Sequence, residues 1–147
     1  MNNTLFSIGE AAKQIGVSTR TLRYYEEMEL LAPCSHTAGG TRRYSSEEIA
    51  RCQHIRNLHT MLGLHLDEIK TMLQIEDQLE KIKTAYKTGT KLKNNAIAEA
   101  LELNLTQRNL IKDKISHLQT FLDELEEKAK LWQSKISKTS PNDVKKK

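Results

Sequence analysis

The sequence predicts a mainly α-helical protein with a small N-terminal domain of short helices and one β hairpin, followed by an extra helix and one long C-terminal helix. Three observations predict this architecture. Apolar residues recur at helical spacing along most of the 147 residues, and prolines occur only at positions 33 and 141. Turn-forming residues are concentrated in one stretch, APCSHTAGGT. A heptad repeat of apolar residues runs through the last third of the chain.

Two short helices are predicted at the N-terminus. Ser7 and Glu10 have the S-x-x-E spacing of a capping box, so a helix begins there. Gly16 ends this helix, and Ser18 is the N-cap candidate of a second one. The residues expected on their buried faces are Ile8, Ala11, Ala12, Ile15, Leu22 and Tyr25. Two short helices joined by a glycine-containing turn are typical of a helix-turn-helix.

A β hairpin is predicted directly after this motif. Pro33, Gly39 and Gly40 disfavour a helix, and residues 41–44 can be extended. The glycine pair therefore lies at the tip of the hairpin. A hairpin in this position is called a wing, and it completes a winged helix-turn-helix.

Further helical segments follow the wing. Ser45 and Glu48 form a second S-x-x-E pattern, and the helix that they open is expected to end at Gly63. A short helix over about residues 66–73 closes an N-terminal domain of residues 1–75. Residues 76–95 are predicted to form a separate extra helix and a polar linker.

The long helix is predicted over residues 96–137, and its heptad pattern indicates a dimerisation coiled coil. The seam consists of Ile111, Ile115, Leu118, Leu122, Leu125, Ala129, Trp132 and Ile136, spaced alternately four and three residues apart. One such helix cannot bury its seam alone, so a second copy of the chain is the expected partner. The alternative is a helix that folds back on residues 77–88. Residues 138–147 are expected to be a basic, disordered tail.

The stretch STRTLRYYEE, residues 18–27, points to a function. It combines two arginines, two tyrosines and two glutamates, a mixture that a helix covering only a core does not need. In a helix-turn-helix, the N-terminal half of the second helix enters the DNA major groove. The candidate DNA-binding residues of this helix and the wing are Thr19, Arg20, Thr21, Arg23, Tyr24, Arg42, Arg43 and Tyr44. The alternative for the same stretch is a solvated amphipathic helix.

The hypothesis of DNA binding rests on the positions of individual arginines. Bulk charge does not support it, because residues 1–75 contain eight basic and eight acidic residues and have no net charge. Arg20 is expected to bond to a base edge. Phosphate contacts are expected mainly from Arg23, Tyr24, Arg42 and Tyr44. Glu26 and Glu27 lie one turn further on, where they can pair with Arg23.

The segments IGEAAKQIGVSTRTLRYYEEMELL and GGTRRYSSEEI resemble the DNA-binding domain of the MerR family of bacterial transcription regulators. The resemblance covers about residues 5–75. Its L-R-Y-Y-E pattern is matched at residues 22–26, and its wing pattern G-x-R-x-Y at Gly40, Arg42 and Tyr44. The later LGLHL resembles the branch of heat-shock-type repressors more than the metal-sensing branch. Thr41, where many members carry an aromatic residue, and His65, where a Ser or Thr N-cap is usual, depart from the pattern.

The resemblance implies a homodimer joined by a long antiparallel coiled coil, which binds a palindromic element of double-stranded promoter DNA. It also implies that RNA polymerase is a functional partner, because relatives bend and untwist promoters whose −35 and −10 elements are too far apart. A simple repressor or a phage-type architectural or excision factor without a small-molecule effector is the alternative. A coiled-coil adaptor that binds protein is a rival from another class.

No cofactor or metal is predicted, and the sequence leaves open whether there is an effector. The chain has no cysteine after Cys52, and metal-sensing relatives use thiolates near the dimerisation helix. Cys52 lies on an apolar helix face and is expected to be a buried small hydrophobe, whereas Cys34, in a loop, is the better candidate for a redox sensor. Enzymatic motifs are lacking, and neither a membrane span nor a signal peptide is recognisable, so a cytoplasmic protein that is not an enzyme is expected.

Overall fold

The computed structural model describes residues 4–31, 35–91 and 94–139. The elements within these ranges are β1 (Phe6–Ser7), α1 (Ile8–Ile15), α2 (Thr19–Glu27), β2 (Ser35–His36), β3 (Arg42–Tyr44), α3 (Ser46–Leu62), α4 (Leu66–Lys87) and α5 (Ala96–Lys138). The mainly α-helical fold class, with a helix-turn-helix, a wing and a long C-terminal helix, is therefore confirmed. The chain divides into two compact units, Met1–Ile97 and Ala98–Lys147.

The first short helix begins and ends at the predicted residues, and the second begins directly after its predicted N-cap, Ser18. Ser7 Oγ accepts a hydrogen bond from the Glu10 amide at 3.2 Å, and Glu10 Oε2 accepts one from the Ser7 amide at 2.8 Å, which completes the capping box. Gly16 ends α1 in the left-handed conformation, with φ of 80°. Ser18 Oγ then accepts from the Thr21 amide at 3.1 Å and begins α2.

The wing is a hairpin of β2 and β3, as predicted, with Ser35 opposite Arg43 and His36 opposite Arg42. Gly40 at its tip has a φ of 79°, a conformation that favours glycine. A third strand, β1, pairs antiparallel with the other side of β3 and gives the sheet order β1-β3-β2. The sequence did not predict β1, because two residues are too few to show an alternating pattern.

The helix after the wing has the predicted bounds, but the next helix does not. α3 begins with a capping box at Ser45 and ends at Gly63. α4 then runs for 22 residues without a break, so the prediction of a short helix followed by a separate extra helix was wrong. The change of pattern near residue 75 marks a change of burial. Residues 69–75 include four buried apolar side chains, whereas Tyr86 near the C-terminal end of α4 is 70% exposed.

The core of the first unit is built from one apolar face of each of the four helices α1 to α4 and from the end of β3. Its most completely buried side chains include Ile15, Leu22, Leu30, Tyr44, Cys52, Ile55, Leu64 and Ile69. Cys52 is fully buried, which confirms the expected small hydrophobe. Burial, with added repulsion from the carboxylates of Glu48 and Glu26, raises the pKa of the Cys52 thiol to about 12. The thiol is therefore protonated and unreactive at neutral pH.

Nearly all of α5 belongs to the second unit, and the 43 residues of this helix correspond to about 65 Å at the standard rise of 1.5 Å per residue. Most of the predicted seam is open to solvent in the single chain, with exposed fractions from 45% at Leu125 to 73% at Ile136. Within the described part of the chain, none of the helices has the length and apolar character needed to span a membrane. The predicted disordered tail lies almost entirely outside the described residues.

Candidate nucleic-acid interface

The N-terminal half of α2 presents a mixed basic and hydroxyl surface. Arg20, Arg23 and Tyr24 are exposed, while Thr19 and Thr21 are half-buried. The open depression along this surface is lined by Ser18, Arg20, Thr21, Arg23, Tyr24 and Glu27. The adjacent tyrosines point in different directions, because neighbouring residues differ by about 100° around a helix. Tyr24 is 44% exposed, whereas Tyr25 is 5% exposed and packs in the core.

The turn that introduces α2 is held in place from α3. Arg56 Nη1 donates a hydrogen bond to the carbonyl oxygen of Ile15 at 3.0 Å. The Arg56 guanidinium also lies against Gly16, where a Cβ atom would come within 3.5 Å of Nη1. Arg56 thus caps the C-terminal end of α1 and supports the turn before α2. The sequence placed Arg56 on the helical pattern but did not show this contact.

The three predicted wing residues have three different environments. Tyr44 is 1% exposed, and its hydroxyl donates a hydrogen bond to Glu26 Oε1. The prediction that Tyr44 holds a phosphate was therefore wrong, because its hydroxyl is directed into the domain and engaged there. Arg42 is partly exposed, and its Nη1 lies 3.3 Å from Glu26 Oε2. Arg43 is half-buried and lies between the two of them in β3.

Glu26 joins the wing to α2. The expected pairing of Glu26 with Arg23 is replaced by contacts with two β3 residues, Arg42 and Tyr44. The Glu26 side chain is 13% exposed, so both carboxylate oxygens are directed at the wing in a partly buried setting. This arrangement fixes the position of the hairpin relative to the exposed surface of α2.

α3 and α4 are joined by two side-chain contacts that the sequence did not show. Arg51 forms two parallel hydrogen bonds to the carboxylate of Asp77, at 2.9 and 3.1 Å, and its Nε donates to the Leu30 carbonyl. His54 Nε2 lies 2.8 Å from Glu76 Oε2. These contacts hold the middle of α4 against the helix-turn-helix domain. The partners lie more than 20 residues apart, so helical spacing could not reveal them.

The other candidate sites to consider are a metal cluster and the thiol of Cys34. In residues 4–31, 35–91 and 94–139, no group of three or more His, Cys, Asp or Glu side chains could hold a metal ion. Cys34 lies outside the described residues, so its proposed role as a redox sensor stays a prediction. Lys83 on α4 belongs to a solvated face, since it lies 3.7 Å from Glu80 in an exposed i,i+3 pair.

Comparisons with known proteins agree with this arrangement. The sequence pattern of the family described as "MerR HTH family regulatory protein" matches residues 6–76. The chain is 31% identical over 121 residues to the HTH-type transcriptional regulator YfmP of Bacillus subtilis, an alignment that covers 81% of this chain and 86% of YfmP. It is also 31% identical over 121 residues to the HTH-type transcriptional regulator ZntR homolog of Haemophilus influenzae, covering 82% of this chain and 81% of that protein.

A solved structure has the same fold over nearly the whole chain. It is the crystal structure of HiNmlR, a MerR family regulator lacking the sensor domain, bound to promoter DNA. The TM-score is 0.56 at 24% sequence identity, and the match covers 92% of this chain and 95% of that one.

Proposed function

The chain belongs to the MerR HTH family of regulatory proteins, and from that premise we propose that it is a DNA-binding transcription regulator that binds promoter DNA as a homodimer. The observation that carries the proposal is the separation of the two faces of α2. Leu22 and Tyr25 are buried in the core, which leaves Arg20, Arg23 and Tyr24 exposed together. A rigid helix with this outer face fits the major groove.

We propose a division of tasks within this surface. The Arg20 guanidinium can donate two parallel hydrogen bonds to the O6 and N7 atoms of guanine, so Arg20 reads a base edge. Arg23 and Tyr24 lie further along the helix and hold phosphate oxygens, and Thr19 and Thr21 add hydroxyl groups near the N-terminus of α2. The wing supplies a further basic contact to the DNA backbone.

Dimerisation through α5 supplies the second DNA-binding domain. Ile115, Leu118 and Leu122 remain 46–63% exposed in the single chain, and a coiled-coil partner would cover them. A second copy of α5 is the simplest partner, since its seam is identical. A dimer of this kind presents two equivalent α2 surfaces and therefore matches a palindromic element.

The regulatory step follows from DNA deformation. We propose that the dimer bends and untwists its promoter, so that RNA polymerase engages −35 and −10 elements that are otherwise too far apart. Smooth bending of a site of this size costs about 1–6 kcal/mol, which the backbone contacts of two domains can offset. The protein would act in the cytoplasm, and the proposal names no effector.

DNA footprinting of the region upstream of the protein's own gene tests this proposal. We expect two protected half-sites separated by central base pairs that become hypersensitive to cleavage. Uniform protection together with unbent DNA in a circular-permutation gel assay would contradict the distortion step and leave a regulator that only occupies its site. Failure to bind that DNA more tightly than random DNA would show that the operator lies elsewhere. Genome-wide selection of bound fragments would then locate it.

A further inference from the structure

We propose that the two adjacent wing arginines have different tasks: Glu26 holds Arg42 in a tie between the wing and α2, and Arg43 alone provides the phosphate contact of the wing. This inference rests on the proposed function as far as DNA is concerned. The tie itself is a property of the folded chain and is testable without DNA.

Glu26 contacts two residues of β3. Its Oε1 accepts a hydrogen bond from the Tyr44 hydroxyl, and its Oε2 lies 3.3 Å from Arg42 Nη1. Arg42 and Tyr44 are two residues apart in β3, so both side chains leave the same face of the strand. One carboxylate on α2 therefore engages the whole of that face of β3.

The Glu26–Arg42 pair is partly shielded from solvent. The Glu26 side chain is 13% exposed, and Arg42 Nη1 is buried without a hydrogen bond, so the contact is a charge attraction in a partly desolvated setting. Such an attraction is less screened than one in water. If Arg42 moved out to a phosphate, it would leave the Glu26 carboxylate without its ionic partner in this setting, which is unfavourable.

Arg43 lies between Arg42 and Tyr44 in β3. Side chains alternate across a strand, so Arg43 leaves the face of β3 opposite to Arg42 and Tyr44. Its neighbours across the sheet are Ser7 in β1 and Ser35 in β2, which carry no charge. The ion pairs found in the described part of the chain do not include Arg43. Its positive charge is therefore available to DNA.

The salt dependence of DNA binding distinguishes the two arginines. The slope of log K against log salt concentration changes by about 0.9 for each phosphate neutralised on duplex DNA. In fluorescence-anisotropy titrations of the full-length chain with a random-sequence duplex, Arg43→Gln should flatten the slope by about 0.9 per bound domain. Arg42→Gln should leave the slope unchanged, although it loosens the wing and lowers affinity.

Removal of the Glu26 charge should change the salt-dependence slope in the opposite direction. Glu26→Gln should release Arg42 to a phosphate and steepen the slope by about 0.9 per bound domain, and the double variant Glu26→Gln, Arg42→Gln should restore the wild-type slope. Glu29→Gln is the matched control. It removes the same charge close by, but the Glu29 side chain is 81% exposed and pairs with Lys70 instead of the wing. It should leave the slope at the wild-type value.

Two results would overturn the inference. Equal flattening by Arg42→Gln and Arg43→Gln would show that both arginines hold phosphates, and an unchanged slope in Glu26→Gln would show that Glu26 withholds nothing from DNA. Urea unfolding of the Glu26 and Arg42 variants tests the tie independently. The double variant should have a midpoint no lower than that of the less stable single variant, whereas additive losses would refute the tie.

The same experiments separate this inference from the proposed function. Absence of salt-dependent binding by the wild-type protein to any duplex would overturn the proposed function, and the assignment of Arg43 with it. Wild-type binding combined with unexpected slopes in the variants would overturn only the division of tasks between the arginines.

Discussion

Substitution of two seam leucines of α5 by lysine should convert the protein from a dimer to a monomer. Complete burial of a leucine side chain contributes about 1.5–3 kcal/mol. Leu118 is 63% and Leu122 is 46% exposed in the single chain, so pairing would bury roughly half of each. Each leucine then contributes about 1 kcal/mol, and the four leucines of a dimer about 4 kcal/mol. The variant Leu118→Lys, Leu122→Lys should therefore raise the dimer dissociation constant at least about 1,000-fold.

Sedimentation equilibrium measures this change, and Leu131→Lys is the matched control. Leu131 is 54% exposed, but it lies about 140° around the helix from Leu118, outside the seam. Lysine is a good helix former, so circular dichroism should show unchanged helix content in all variants. A double variant that stays dimeric, or a control that dissociates equally, would refute the seam. A wild-type protein that is monomeric at micromolar concentration would refute dimerisation through α5 altogether.

The further predictions concern Arg20, Cys52 and the Arg51–Asp77 pair. Arg20→Ala should weaken binding to the specific site by about 1–3 kcal/mol and relax the preference at one position per half-site, and an equal loss on random DNA would show that Arg20 holds a phosphate instead. In a Cys34→Ser background, Cys52 should resist alkylation at pH 8 until urea unfolds the chain, and fast labelling of the native protein would contradict its burial. Because the pKa of Cys52 is about 12 in the folded protein and near 8.5 when unfolded, the unfolded chain binds fewer protons in between. Stability should therefore fall with rising pH above about 8.5, by at most about 1.4 kcal/mol per pH unit, and Cys52→Ala should remove that contribution. Arg51→Met should lower the free energy of unfolding by about 1–2 kcal/mol, and Asp77→Asn should lower it by less than about 1 kcal/mol. The losses differ because Arg51 also donates a hydrogen bond to the Leu30 carbonyl. Equal losses in urea melts would mean that this backbone contact contributes nothing.

The sequence alone was sufficient to predict the features that depend on residues close together in the chain. The capping boxes at Ser7 and Ser45 join residues three positions apart, and the left-handed glycines Gly16 and Gly63 lie where the apolar pattern stops. The α5 helix was predicted because one period continues over many turns without glycine or proline. The family was recognisable for the same reason, since its DNA-binding motifs are short and contiguous.

The position of the wing depended on tertiary structure. The sequence showed that Glu26 lay close to Arg23 on one helix, and an i,i+3 pair was the nearest local solution. In the folded domain, β3 brings Tyr44 to Glu26 across 18 residues, and burial makes that contact more favourable than an exposed helical pair. This contact directs the Tyr44 hydroxyl into the domain, away from the surface on which the sequence had placed it.

The course of α4 also could not be read from the sequence. The weakened apolar pattern after Leu73 suggested a new element, although the same helix continues after it leaves the core. Which turns of a helix are covered depends on elements distant in the chain, here α3, whose Arg51 binds Asp77 across 26 residues. Local sequence therefore determined where the helices begin, end and repeat their apolar pattern, whereas only the tertiary structure decided which charged side chains pair within the domain, because those pairings depend on distances that folding creates.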